Sequence, residues 1–169
     1  ARMRSTGEGY PVAFYRLCTK SRRRYGGYLT HLGLVFLFAG FTGKAFTQEF
    51  EFVLDQGASR QVGDYQVSFE SLAFAESTNY STTSAAVGLH RDELFLGTLL
   101  PERRFYPAFD QGTTEVSIYS TMREDFYIIL VGSAEDRSAK FKVYINPLIN
   151  FVWLGAVIVV LGALWAMWP

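Results

Sequence analysis

The chain of 169 residues holds a single cysteine, Cys18, and two histidines, His31 and His90. One thiol excludes an internal disulfide, a thiolate metal cage and a Cys-x-x-Cys redox pair. No nucleophile beside a base, paired carboxylate site, phosphate loop or metal-spaced cluster is evident, so nothing marks the chain by itself as an independent enzyme. There is no internal repeat and no low-complexity tract. Charge is missing in two places. Residues 25–43, nineteen in number, contain no Asp, Glu, Lys or Arg, and neither do the 27 residues after Lys142. As a helix the first run extends about 28 Å, close to the thickness of a bilayer's hydrocarbon core. The second, "LINFVWLGAVIVVLGALWAMWP", is at least as long. Each run could instead be a buried helix of a soluble core, but an uncharged window of this length is at the spanning threshold. The first run follows 24 residues and ends in bulky Phe rather than a small-residue cleavage site, so it is expected to persist as an anchor.

A net charge of zero conceals an asymmetry. Ahead of the first run, seven basic residues face Glu8 alone, a net +6; beyond Lys44, eight basic residues face 15 acidic ones, a net −7. By the positive-inside rule the N-terminal end lies in the cytoplasm and the middle section outside. The expected organisation is a cytoplasmic basic segment (1–24), a transmembrane helix (25–46), an extracytoplasmic section (47–146) and a second transmembrane helix (147–169). A basic cluster beside a span reads as topology or anionic-lipid attraction rather than nucleic-acid binding. Cys18, on the cytoplasmic side, is an ordinary thiol or a palmitoylation site.

The middle section has the period of strands. In "DYQVSFESL", Tyr65, Val67 and Phe69 alternate with polar residues; "AKFKVYIN" repeats the pattern with Phe141, Val143 and Ile145, and "TEVSIYST" with Val116 and Ile118. "DFYIILV" is a continuous apolar run suited to the middle of a sheet. "GLHRDELFLG" reads as a hairpin turning at Arg91 and Asp92, which leaves His90 as a solvated turn residue. "ESTNYSTTSAA" reads as a polar loop, with Asn79 in a glycosylation triplet. Six to eight strands without a helical period predict an α+β membrane protein in which two transmembrane helices bracket an antiparallel β-sandwich or barrel-like extracytoplasmic domain.

His31 is the unusual residue of the first span. At that depth an imidazole is costly if charged, so it should be neutral and hold a partner: a polar group of a neighbouring helix, or a metal such as haem iron. Both partners stay open at the level of the residues alone. Gly26, Gly33 and Gly40 repeat every seven residues and form a packing stripe, as do Gly155 and Gly162; Gly27, four residues before His31, would let a bulky group approach its face. Arg22, Arg23 and Arg24 could pair with haem propionates, although topology alone explains them. Trp153 and Trp168 suit the two interfaces of the second span. "ERRFYPAF" concentrates Arg103, Arg104, Phe105 and Tyr106 between two prolines and is a first choice for a contact surface. "PVAFYRL" could form a short amphipathic segment on the inner leaflet.

"RRRYGGYLTHLG", "ERRFYPAFDQGTTEVSI", "EDFYIILVG" and "KVYINPLINFVWLGAVIVVLGALWAMWP", in that order, resemble the C-terminal portion of the CcmF family, the haem lyase subunits of bacterial cytochrome c maturation. The resemblance implies that His31 is one of two axial ligands of a permanent intramembrane haem b, the other coming from a helix outside this chain. That haem would reduce haem before its covalent attachment to apocytochrome c. It also implies a place in the bacterial inner membrane with the β domain in the periplasm. The implied partners are the remainder of a CcmF-type lyase, CcmH/CcmI-type subunits, the CcmE-type haem chaperone, apocytochrome c and membrane lipid, with no nucleic acid. The long membrane region and outer haem-presenting loop of full family members are not in this sequence, so the chain alone is not expected to be catalytic. The competing reading is a two-span anchored β domain that binds or supports other subunits without haem.

Overall fold

The computed structural model describes residues 19–133 and 137–168, together with 9, 11, 12 and 16. Cys18 and most of the segment 11–17 lie outside the described residues. Two units are present, a helical one and a β one, the second running from Ala45 to Pro147.

The helical unit contains α1 (Arg22–Gly43) and α2 (Ile149–Met167), both long and apolar enough to cross a membrane by length and composition. They pack antiparallel along glycines. Gly26, Gly33 and Gly40 of α1 and Gly155 and Gly162 of α2 are buried. A Cβ placed on Gly33 would come within 2.7 Å of Val159 N and 2.8 Å of Gly155 O; one on Gly162 would meet Thr30 N at 2.6 Å and Gly26 O at 2.9 Å. These are backbone atoms, so the seven-residue spacing lets the two main chains touch where any larger residue would hold them apart. Phe36 stacks on Phe151 beside this seam, with ring centroids 5.6 Å apart.

The β unit is a sandwich of two antiparallel sheets. Its strands are β1 (Gln48–Asp55), β2 (Ser59–Val62), β3 (Tyr65–Glu76), β4 (Ser81–Arg91), β5 (Leu94–Leu99), β6 (Glu102–Tyr106), β7 (Gln111–Glu115), β8 (Ser117–Ser120), β9 (Glu124–Ser133) and β10 (Ser138–Pro147). One sheet has the order β1-β10-β9-β8; the other has β2-β3-β4-β6-β7, with β5 also pairing β4. The alternating residues do what their period requires. Tyr65, Val67 and Phe69 from one sheet and Phe126, Ile128, Leu130, Phe141, Val143 and Ile145 from the other are buried between the layers. Phe69 meets Phe141 edge-on at 5.3 Å, and Tyr65 lies 5.0 Å from Phe126.

Three local expectations are corrected. "ESTNYSTTSAA" is mostly strand, because only Ser77–Tyr80 turns and Ser81 onward pairs with β3 and β6. Ser and Thr read as loop formers, yet here they alternate across a pleat with small Ala85 on the inner face. The β4–β5 hairpin turns at Asp92 and Glu93, one residue later than expected, since Arg91 pairs with Leu94. Both turn residues have positive φ, 48° and 67°, the geometry of a type I′ turn. Val116 is not a strand residue but the point at which the chain passes from β7 in one sheet to β8 in the other, and both it and Ile118 are exposed.

Candidate functional site

His31 sits midway along α1 and is exposed within the helical unit. Gly26 and Gly33, which bound it in sequence, point at α2, and at 100° per residue the imidazole projects from nearly the opposite side. Its Nδ1 lies 2.8 Å from the carbonyl oxygen of Gly27. A carbonyl can only accept, so Nδ1 carries the proton and donates it there. In the neutral form of the ring this contact leaves the lone pair on Nε2. Gly27 has no neighbour within 4 Å of where a Cβ would be, so space is open beside the ring. Tyr28, Leu34, Val35 and Phe38 on the surrounding surface are exposed and apolar or aromatic.

Arg23 and Arg24 are both exposed. Arg24 stands seven residues before His31, about two turns or 10.5 Å along the same stripe, whereas Arg23 is rotated roughly 80° from it. Arg22 turns back on its own chain, its Nε donating to the carbonyl of Thr19 at 3.1 Å. Among the described residues there is no group of three or more His, Cys, Asp or Glu that could hold a metal ion. The helical unit thus offers one imidazole, on an exposed, largely apolar face, with its Nδ1 beside the Gly27 carbonyl.

The β unit has polar clusters that the sequence pattern did not disclose. Tyr65 Oη donates to Glu124 Oε1 at 3.0 Å, bridging the two sheets, while Arg91 lies 3.6 Å from the same oxygen and 3.1 Å from Asp64. Burial, and then the hydrogen bond to the Glu124 carboxylate, push the Tyr65 hydroxyl up to about 12. The guanidinium of Arg91 also covers the Tyr65 ring at 5.1 Å. This is a clamp between layers, made from residues far apart in sequence. Arg103 does similar work at another point, donating from Nη1 to Val131 O of β9 at 2.8 Å. Arg104 binds Glu102 and Glu115 and covers the Tyr80 ring. Both arginines of "ERRFYPAF" are therefore engaged inside the domain, and Phe105 and Phe109 supply its exposed apolar surface. His90, expected as a solvated turn residue, lies in β4 against Phe95 at 5.1 Å, and its Nδ1 is buried without a hydrogen-bond partner among the described residues.

The family described as the CcmF C-terminal beta-sandwich matches residues 45–147. The cytochrome c-type biogenesis protein CcmF of Haemophilus influenzae is 30% identical over 151 residues, covering 87% of this chain and 23% of that protein. The probable cytochrome c-type biogenesis protein NrfE of Escherichia coli is 28% identical over 141 residues, covering 83% of this chain and 26% of that protein. A solved structure named cytochrome c heme lyase CcmF superposes with a TM-score of 0.72 over 89% of this chain and 26% of its own, at 18% identity, a likeness of fold. The chain spans about a quarter of the length of these relatives.

Proposed function

The chain belongs to the CcmF family, as its C-terminal β-sandwich portion, and from that premise we propose that it is the C-terminal part of a cytochrome c maturation haem lyase, in which His31 is an axial ligand of an intramembrane haem b. The observation that carries this reading is the His31 ring itself: Nδ1 held at the Gly27 carbonyl, and an exposed side chain on the side of α1 away from α2. A hydrogen bond on the far nitrogen orients an imidazole and raises its basicity toward a metal. Gly27 leaves room for a flat macrocycle to lie close, and the exposed apolar side chains around it exclude water from the ligand face. Arg24, on the same stripe, is placed for a bidentate pair with a propionate; Arg23 is the lesser choice because of its rotation. When bound, such a haem supplies one-electron transfer, used to reduce haem before its covalent attachment to apocytochrome c.

His31 is the sole histidine of the helical segments, so the second ligand would come from a helix of the remaining lyase. Paired with an imidazole from elsewhere, His31 would tune a redox step rather than touch substrate thiols. In this reading, by the positive-inside rule, residues 1–24 face the cytoplasm and 47–146 the periplasm of a bacterial inner membrane. The partners in this reading are the remainder of the CcmF-type lyase, CcmH/CcmI-type subunits, a CcmE-type haem chaperone, apocytochrome c and lipid.

The test is optical. The chain copurified with the remainder of its lyase in mild detergent is expected to show a six-coordinate b-type haem spectrum. His31→Ala should abolish it or convert it to a five-coordinate form. An unchanged spectrum would overturn the ligand assignment and leave an anchored β domain acting as a binding or structural subunit without haem.

A further inference from the structure

Tyr28 stands three residues before His31 on α1, about 4.5 Å nearer its start and about 60° round the helix, so both side chains leave on the same exposed side. It is 63% exposed. Helical side chains lean toward the N-terminus, which carries the phenol past the imidazole toward the first turn of α1. The ring is braced on its other side. Tyr25, partly buried, meets it edge-on, with ring centroids 6.0 Å apart and planes at 89°. Among the described residues the Tyr28 hydroxyl has no hydrogen-bond partner.

The two directions along α1 from His31 differ in polarity. Toward the C-terminal end the exposed side chains on this side are Leu34, Val35 and Phe38. The first polar residue that way, Thr42, spends its hydroxyl on its own helix, donating to Phe38 O at 2.8 Å. Toward the start, Tyr28 places a hydroxyl donor within one turn. A b-type haem is one-sided in the same way, with both propionates on one edge and methyl and vinyl groups on the rest of its rim.

We propose that Tyr28 donates its hydroxyl to a propionate of the haem b assigned to His31, and so fixes the rotation of that haem about the iron–His31 axis, with its apolar rim toward Val35 and Phe38; this rests on the ligand reading above. Tyr25 holds the phenol in place. The hydroxyl acts here whether or not Arg24 shares the propionate. A propionate carboxylate favours ferric iron, which bears one more positive charge than ferrous; a hydroxyl bonded to it offsets part of its charge and favours the reduced form. As a plain interfacial tyrosine, Tyr28 would meet water or headgroups and leave the haem unaffected.

The experiment uses the chain copurified with the remainder of its lyase in mild detergent. Tyr28→Phe keeps the ring and its edge contact with Tyr25 and removes only the hydroxyl. The six-coordinate spectrum should persist, and the propionate bending band in resonance Raman should shift. The ratio of reduced to oxidised haem at a fixed potential should fall about threefold, or roughly 30 mV at about 59 mV per decade for one electron. Tyr25→Phe should move neither readout. Failure of the band or the ratio to move in Tyr28→Phe, or an equal change in Tyr25→Phe, would overturn the proposal. Loss of haem from Tyr28→Phe alone, with the complex recovered in full, would support it, because only the hydroxyl differs. A parent complex without haem, or one whose spectrum survives His31→Ala unchanged, would overturn the ligand reading instead, and is seen before Tyr28 is altered.

Discussion

Replacing Gly33 by alanine tests whether the glycine seam sets the distance between α1 and α2. The new methyl would lie 2.7 Å from Val159 N and 2.8 Å from both Gly155 O and Val159 Cγ2, whereas ordinary contact begins near 3.4 Å. The helices must therefore part by about 0.7 Å, since two of those three atoms are main chain. A gap of that size forfeits a quarter to a half of each dispersion well of about 0.1–0.2 kcal/mol, and over a few tens of atom pairs the loss is on the order of 1–3 kcal/mol. Alanine recovers about 1 kcal/mol through helix propensity, but Gly27→Ala recovers the same amount with nothing within 4 Å of its methyl. The difference between the two variants therefore isolates packing and should be about 1–3 kcal/mol. Every tryptophan of the chain, Trp153, Trp165 and Trp168, lies in α2 or at its end. Indole emission during a denaturing-detergent titration in mixed micelles thus follows the helical pair without a contribution from the β unit. Equal midpoints for Gly33→Ala and Gly27→Ala would refute the close-contact argument.

Two further outcomes concern the β unit. The Tyr65 hydroxyl is held up at about 12 by burial and by the hydrogen bond to Glu124, above its ordinary value near 10, so the stability it contributes is fully present below pH 10 and is lost as pH rises through 12. Urea unfolding of the chain followed by circular dichroism should lose about 1–2 kcal/mol more between about pH 9 and pH 11.5 than it does in Tyr65→Phe, and identical pH slopes would count against the clamp. Asp92 and Glu93 both occupy positive φ, where Asn-Gly is the favoured pair; Asp92→Asn with Glu93→Gly should raise stability by about 1 kcal/mol in the same assay, and a fall would mean that the two acidic side chains hold the hairpin in another way.

The core strands were legible because burial on one face imposes a two-residue period that survives in the sequence. Tyr65, Val67 and Phe69 and Phe141, Val143 and Ile145 are inward as expected, and "DFYIILV" lies between β10 and β8 rather than at an edge. The short strands were less legible. β2 and β8 have four residues each, too few for a period to emerge, and ten strands stand where six to eight were expected. The extent of β4 was misread because Ser and Thr fit turns and pleats equally well. Gly26, Gly33 and Gly40 announced a packing face through their spacing, and that face is the seam. The side of α1 that carries His31 becomes clear only once that seam is seen against α2, and its bond to Gly27 O depends on a rotamer that no pattern encodes. The clamp of Tyr65, Arg91 and Glu124 joins three strand ends brought together only by folding, and nothing local marked it.

The first and last strands of the sandwich are neighbours, Gln48 opposite Ile145, and Thr47 Oγ1 donates to Asn146 Oδ1 at 3.0 Å just beyond them. Entry and exit of the β unit are thus about one strand spacing apart, roughly 5 Å. A module whose two leads leave through the same doorway can be lifted out and replaced by a short loop, or exchanged for another of the same span. Such a cassette is free to diverge, or to be grafted elsewhere, as a self-contained insert.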